Sequence, residues 1–176
     1  MERNPYLLVF VAIFFFAVGT VATMFIPFTE ENLMTPTPTA EYRKQVVNDN
    51  PQSKAAKGRE LYMQNGCMYC HTQWVRPTKT DEKLGPVIRA GDTYYDSPHL
   101  HGSNRTGPDL LWVGDRIPDK AWHIKHLKDP QSVVAGSIMP PYKFLSDEEL
   151  DALAEYLVTL KHIDNPTDQS DPQYRY

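Results

Sequence analysis

Apolar and polar positions divide the chain into four stretches. From Leu7 to Phe28 no residue is charged. At about 1.5 Å per residue, a helix of that length crosses a hydrocarbon core roughly 30 Å thick. A cleaved signal peptide usually has an apolar core of about 7–15 residues. This run is longer and lacks a small-x-small cleavage site after it, so it predicts a retained membrane anchor spanning residues 1–29. Gly19, Thr20 and Thr23 are tolerated in such a helix, and Pro27 falls at its far end. Arg3 precedes the span while Glu30 and Glu31 follow it, which places the N-terminus inside. Met34-Thr-Pro-Thr-Pro-Thr39 then reads as a stiff, extended spacer, and residues 30–52 as a linker.

Helical periodicity begins after the linker. Ser53 is a plausible N-cap for a helix over Lys54–Asn65, with Ala55, Ala56, Leu61 and Tyr62 apolar and Gly58 free for close helix approach. A second helix is predicted over Asp119–Lys128, with Trp122 and Leu127 inward. Ser146-Asp-Glu-Glu149 is a capping box. Leu150, Leu153, Ala154, Leu157 and Val158 then mark one helical face, flanked by Tyr156 and ending near His162. Residues 163–176 form a polar tail, and no strand alternation is evident. The fold class is therefore mainly α: one N-terminal transmembrane helix plus a helical domain over residues 53–162.

Composition narrows the function. With 176 residues the chain holds one domain of ordinary size plus appendages. Fifteen prolines and nine glycines predict a loop-rich fold. A net charge of −4 excludes nucleic-acid binding on electrostatic grounds. The two cysteines both lie in Cys67-Met68-Tyr69-Cys70-His71. Cys-x-x-Cys-His is the attachment signature of a c-type haem. Two intervening residues bring both sulfurs to one porphyrin edge, and the adjacent histidine becomes an axial ligand to the iron. A zinc site would need two more ligands, and a redox dithiol does not need the histidine. One covalent haem c is the expected cofactor.

Gly58-x-x-Leu61-Tyr62, then Cys-x-x-Cys-His, then a last helix containing Glu155-Tyr156-Leu157 resembles a class I cytochrome c. The resemblance implies that the first and last helices of the domain cross, with Gly58 and Tyr156 in contact. It also implies a methionine sixth ligand late in the chain. Of six methionines, Met1, Met24 and Met34 belong to the anchor or its flank, and Met63 and Met68 lie too close to the attachment site. Met139, in Ser137-Ile-Met-Pro-Pro-Tyr142, remains, so iron would be bound by His71 and Met139. His99, His101, His123, His126 and His162 stay open as alternatives, His101 and His126 foremost. In class I cytochromes a proline carbonyl holds the axial histidine. That implies Pro108 of Gly107-Pro108-Asp109-Leu110, with Gly85-Pro86 as the second candidate. Arg76 and Arg105 are candidates for the haem propionates.

A narrower resemblance follows. Gly66-Cys-Met-Tyr-Cys-His-Thr-Gln-Trp-Val-Arg-Pro77 and Gly102-Ser-Asn-Arg-Thr-Gly-Pro-Asp-Leu110 are similar to the monohaem cytochrome c subunit of cbb3-type (C-family) haem-copper oxidases. Trp112-Val-Gly114, Trp122 to Leu127, Asp129-Pro130, Val133-Val134, Ser137 and Met139-Pro140 continue the likeness in order. It implies a single-pass protein of the bacterial inner (cytoplasmic) membrane, with the haem domain on the periplasmic side. It implies a haem-copper catalytic subunit as electron acceptor, another cytochrome c subunit or a soluble cytochrome c as donor, and no catalysis by this chain alone. It also implies a calcium ion near the subunit interface, with the loop around Ser103 as the place to look. A cytochrome c subunit of a nitric oxide reductase, a freestanding tethered carrier and an open-iron haem sensor remain alternatives.

Overall fold

A computed structural model describes residues 4–29 and 35–163. They fall into two compact units, one up to Thr35 and one from Pro36. The tail read over residues 163–176 lies outside the described residues from position 164 onward. No strand occurs among the described residues.

The first unit is a single helix, α1, over Pro5–Thr29. Asn4 caps it, its side chain accepting from the backbone N–H groups of Tyr6 and Leu7, and Pro5 occupies the first turn. The turns widen to a π pattern over Val21–Phe25. Just ahead of and inside that stretch, the Thr20 and Thr23 hydroxyls donate to the carbonyls of Phe16 and Gly19. The helix is long and apolar enough to cross a membrane, and its large side chains are exposed.

The second unit starts earlier than the linker reading allows. Thr37 caps helix α2, Pro38–Arg43, accepting from the Ala40 N–H, and Pro38 occupies the first turn. The helix continues in wider turns through Lys44–Asn48. Thr39, Ala40, Arg43 and Val47 are buried. Arg43 donates to the Leu111 carbonyl, lies over the Trp112 ring and pairs with Asp96. The extended-linker reading is corrected here. Proline at a first helical turn starts a helix instead of preventing one, and the spacing of 40, 43 and 47 gives that helix an inward face.

Helix α3, Lys54–Gln64, is capped by Ser53, and its C-terminus is closed by Gly66 in the left-handed conformation at φ +68°. Two short helices, α4 over Val113–Arg116 and α6 over Pro130–Val133, flank α5, Lys120–Lys128. Asp119 caps α5, and Lys125, His126 and Lys128 suit the negative end of its dipole. The last helix, α7, covers Asp147–Thr159 and ends shortly before the expected His162. Its capping box is formed: the Glu149 N–H donates to Ser146 Oγ, and the Ser146 N–H donates to Glu149 Oε2.

The core forms where α3 and α7 cross. Leu61, Tyr62, Leu127, Leu150, Leu153 and Leu157 share one apolar cluster. At the crossing point a Cβ on Gly58 would lie 2.0 Å from the Ala152 carbonyl oxygen and 2.7 Å from the Tyr156 Cβ. Tyr156, expected beside the apolar face, is buried in it. Its ring stands edge-on to Tyr62 with centroids 5.6 Å apart, and its hydroxyl meets the Gln73 amide at 3.1 Å. A smaller cluster of Val75, Leu111 and Trp112 packs beside it, with Trp112 Nε1 donating to the Pro86 carbonyl. Pro86 thus meets Trp112, and the partner of His71 Nδ1 is Pro108.

Candidate haem-binding site

Directly after Gly66 the chain makes one tight helical turn, Cys67–Tyr69. The N–H groups of Cys70 and His71 both donate to the Cys67 carbonyl, at 3.2 and 2.9 Å. Cys67 is buried and Cys70 is exposed. Burial pushes the Cys67 thiol up to about 11. A redox dithiol needs the opposite shift, since the thiolate is the reactive form. Among the described residues no group of three or more His, Cys, Asp or Glu side chains is arranged to hold a metal ion. The calcium expectation near Ser103 likewise finds no acidic cluster among them.

Cys67 and His71 line an apolar cavity of about 280 Å³. Its walls include Tyr62, Val113, Leu127, Leu153 and Leu157, drawn from α3, α4, α5 and α7, and Leu110 from the loop before α4. Met139 and Pro108 line the same cavity. The four residues expected at the iron and its attachment are therefore split in a simple way. Cys67, His71 and Met139 line one space, and Cys70, at the end of the turn, is exposed.

His71 Nδ1 lies 2.7 Å from the Pro108 carbonyl oxygen. A neutral imidazole that presents Nε2 to a metal carries its proton on Nδ1, and the carbonyl accepts it. Gly107 makes the approach possible, because a Cβ there would lie 2.2 Å from the His71 ring. The Met139 loop is held from behind: the Tyr142 N–H donates to the Leu127 carbonyl, and the Gln131 amide donates to the Ser137 carbonyl. Pro140 and Pro141 stiffen the loop.

Of the alternative histidines, His126 lines the cavity, stacked on Trp122 with centroids 4.8 Å apart. Burial, then His123 and His71, lower its pKa. His123 also lines the cavity, with Nε2–H donating to the Ile117 carbonyl at 2.8 Å. His99 and His101 stack on each other away from it, and His162 packs against Trp112.

Neither Arg76 nor Arg105, the candidates for the haem propionates, is among the residues lining the cavity. Both serve Asp81, a fully buried carboxylate, at 3.1 and 2.6 Å. A buried carboxylate needs cations, and these two meet that need. The arginine on the cavity wall is Arg116, at the end of α4, which sequence reading passed over. It donates to the carbonyls of Leu84 and Asp109. Burial lowers its pKa, with Asp109 and Asp115 opposing that shift.

Asp81 gives the site a pH signature. Burial alone would raise its pKa, but hydrogen bonds from Arg76 and Arg105 outweigh it and hold the carboxyl well below the usual range. A depressed folded pKa stabilises the fold above the unfolded value of about 3.9, and that contribution is lost as pH falls further. Thermal stability of the holoprotein is expected to drop below pH about 4. Asp81→Asn is expected to be less stable at neutral pH and to show a shallower acid loss in the same melting series.

Comparison with known proteins gives a consistent result. The chain matches the family described as "Cytochrome C oxidase, mono-heme subunit/FixO" over residues 1–173. It is 30% identical over 115 residues to "Cytochrome c oxidase subunit 2" of Alkalihalophilus pseudofirmus, covering 65% of this chain and 28% of that protein. It is 32% identical over 120 residues to "Cytochrome c2" of Rhodopseudomonas palustris, covering 61% of this chain and 98% of that protein. The chain thus spans under a third of the first relative and nearly all of the second.

Proposed function

This chain belongs to the FixO family of mono-haem cytochrome c oxidase subunits, and on that premise we propose that it is a membrane-anchored relay, handing electrons to the haem-copper catalytic subunit of a terminal oxygen reductase. The family carries one c-type haem and associates with an oxidase complex. In our reading Cys67 and Cys70 would hold the haem through thioethers, and His71 and Met139 would bind its iron. Arg116, on the cavity wall, would offer a further cation to a propionate beside Arg76 and Arg105. The observation that carries this is the sharing of one apolar cavity by Cys67, His71 and Met139, with the Pro108 carbonyl on His71 Nδ1.

Haem c supplies a one-electron couple. The residues of this chain do the rest. Pro108 fixes the His71 tautomer and ring plane. Met139 supplies a thioether, which favours the ferrous state and raises the potential. The leucines and Val113 keep water from the site. With His71 and Met139 both bound to the iron, no substrate site would remain, so the chain would move electrons and the chemistry of oxygen reduction would fall to its partner.

We place α1 in the bacterial cytoplasmic membrane and the domain from Pro36 to residue 162 on the periplasmic side, where haem is attached to such motifs. A tether of this kind raises the effective concentration of the haem domain at a membrane partner. The electron donor is another cytochrome c, either a subunit of the complex or a soluble one. A reduced-minus-oxidised spectrum of the material purified in mild detergent through a tag on this chain tests the reading. Bands of b-type haem beside c-type are expected. A c-type spectrum with no large partner would instead favour a freestanding tethered carrier. Nitric oxide consumption without oxygen consumption would favour a nitric oxide reductase.

A further inference from the structure

The Pro108 carbonyl that meets His71 belongs to a turn, and something must hold that turn in place. Backbone bonds pin it on either side: the Gly107 N–H donates to the Cys70 carbonyl at 2.9 Å, and the Leu110 N–H to the Thr72 carbonyl at 2.8 Å. Between them stands Asp109, whose side chain is fully buried. Its Oδ2 accepts from the Thr72 hydroxyl at 2.6 Å and from the Trp74 N–H at 2.7 Å. Its Oδ1 accepts from the Leu111 N–H at 2.8 Å. Arg105 completes the set, with Nη2 at 3.4 Å from Oδ2.

Arg105 is itself a clamp. Nε donates to the Thr72 hydroxyl at 2.8 Å, Nη1 to Asp81 at 2.6 Å and Nη2 to the Trp74 carbonyl at 2.7 Å. Thr72 and Trp74 continue the segment that leaves His71. Asp109 and Leu111 continue the turn that carries the Pro108 carbonyl. The carboxylate therefore stitches the segment bearing the axial histidine to the segment bearing its hydrogen-bond acceptor.

We propose that Asp109, clamped by Arg105, is a positioning residue for His71: it fixes the Pro108 carbonyl against Nδ1 and so sets the basicity of the axial imidazole and the reduction potential. This rests on the haem reading above. Outer-shell partners of a ligating histidine orient the ring and raise its basicity. A more basic imidazole favours the ferric state, so a loosened Pro108 contact raises the potential. The position needs a carboxylate and not an amide. Asp109 accepts from three N–H or O–H groups at 2.8 Å or less and uses no donor. Asparagine has one acceptor oxygen, and either placement of its NH₂ faces a backbone N–H, of Leu111 or of Trp74.

The test uses the full-length, haem-loaded chain in detergent, wild type against Asp109→Asn and Arg105→Lys. The reduced protein is labelled with ¹⁵N-histidine, and exchange of the His71 Nδ1 proton is followed together with the midpoint potential and the melting temperature. Asp109→Asn is expected to speed that exchange by about tenfold or more, the scale on which outer-shell partners act, and to raise the potential. Arg105→Lys, which keeps the charge but loses the fork, is expected to move both readings less in the same direction. A lower melting temperature with unchanged exchange and potential would show a purely structural carboxylate and overturn the proposal. Should Asp109→Asn not fold, unchanged readings in Arg105→Lys and Thr72→Val overturn it equally. A wild-type chain without covalent haem would instead defeat the functional reading itself.

Discussion

Met139→Ala is expected to open the iron. Met139 lies on the wall of the cavity that also holds His71 and Cys67, on a loop tied to α5 through the Leu127 carbonyl. Alanine removes the thioether and leaves the fold of that loop intact, because its anchoring bonds come from Tyr142 and Gln131. The reduced variant should bind carbon monoxide where the wild type does not. Its potential should fall by more than about 0.1 V, a fraction of the roughly 0.8 V that axial ligands span. His126 is the competing ligand, since it lines the same cavity. If His126 held the iron, Met139→Ala would leave the spectrum unchanged and His126→Ala would produce the carbon monoxide band. The two spectra decide between them.

Gly58→Ala should destabilise the domain, against the usual sign of such a change. At a helix position free of contacts, glycine to alanine stabilises by about 0.4–1 kcal/mol through the unfolded chain. Here the new Cβ would lie 2.0 Å from the Ala152 carbonyl oxygen, and backbone cannot yield as a side-chain tip can. Helices α3 and α7 must part, and the leucines between them lose contact. The expected loss is about 3 kcal/mol, at the upper end of overpacking effects. Because α3 runs directly into Cys67, the fraction of chain carrying covalent haem should fall as well. Thermal denaturation and a pyridine haemochrome assay on the same preparation measure both. A melting temperature equal to or above the wild type would mean that the helices do not cross at this residue.

Signals that act over a few residues were readable from the chain. The haem motif, the Ser146–Glu149 capping box and the Ser53 cap each depend on spacings of two or three residues, and the structure forms the two caps as read. Pro108 was reachable through family resemblance, and its carbonyl sits against His71. Interactions set by distant partners were not legible. The pairing of Arg76 and Arg105 with Asp81 is one of them, because nothing local shows that the carboxyl of Asp81 will be buried and in need of them. Arg116 reaches the cavity from a helix of four residues, too short to display periodicity. The start of the domain was missed for a different reason. Thr-Pro repeats suggest an extended spacer by composition, yet Thr37-Pro38 is also a cap followed by a first-turn proline. What tips the balance is burial of Ala40, Arg43 and Val47, which depends on Trp112 and Leu111 far along the chain. Arg43 shows why composition misleads there: a buried guanidinium ties the segment to the haem domain.

The most direct test of the electron-relay account is rapid mixing of the fully reduced complex, purified in mild detergent through this chain, with oxygen, while the c-type band is followed. The account predicts that the c-type haem is oxidised within the catalytic cycle, and that the reduced chain alone stays ferrous over the same interval. It also predicts that the isolated Met139→Ala chain, with its iron open, loses that resistance to oxygen. Oxidation of the isolated wild-type chain by oxygen at the rate of the complex would contradict it, because that would require an open iron in this domain and no partner.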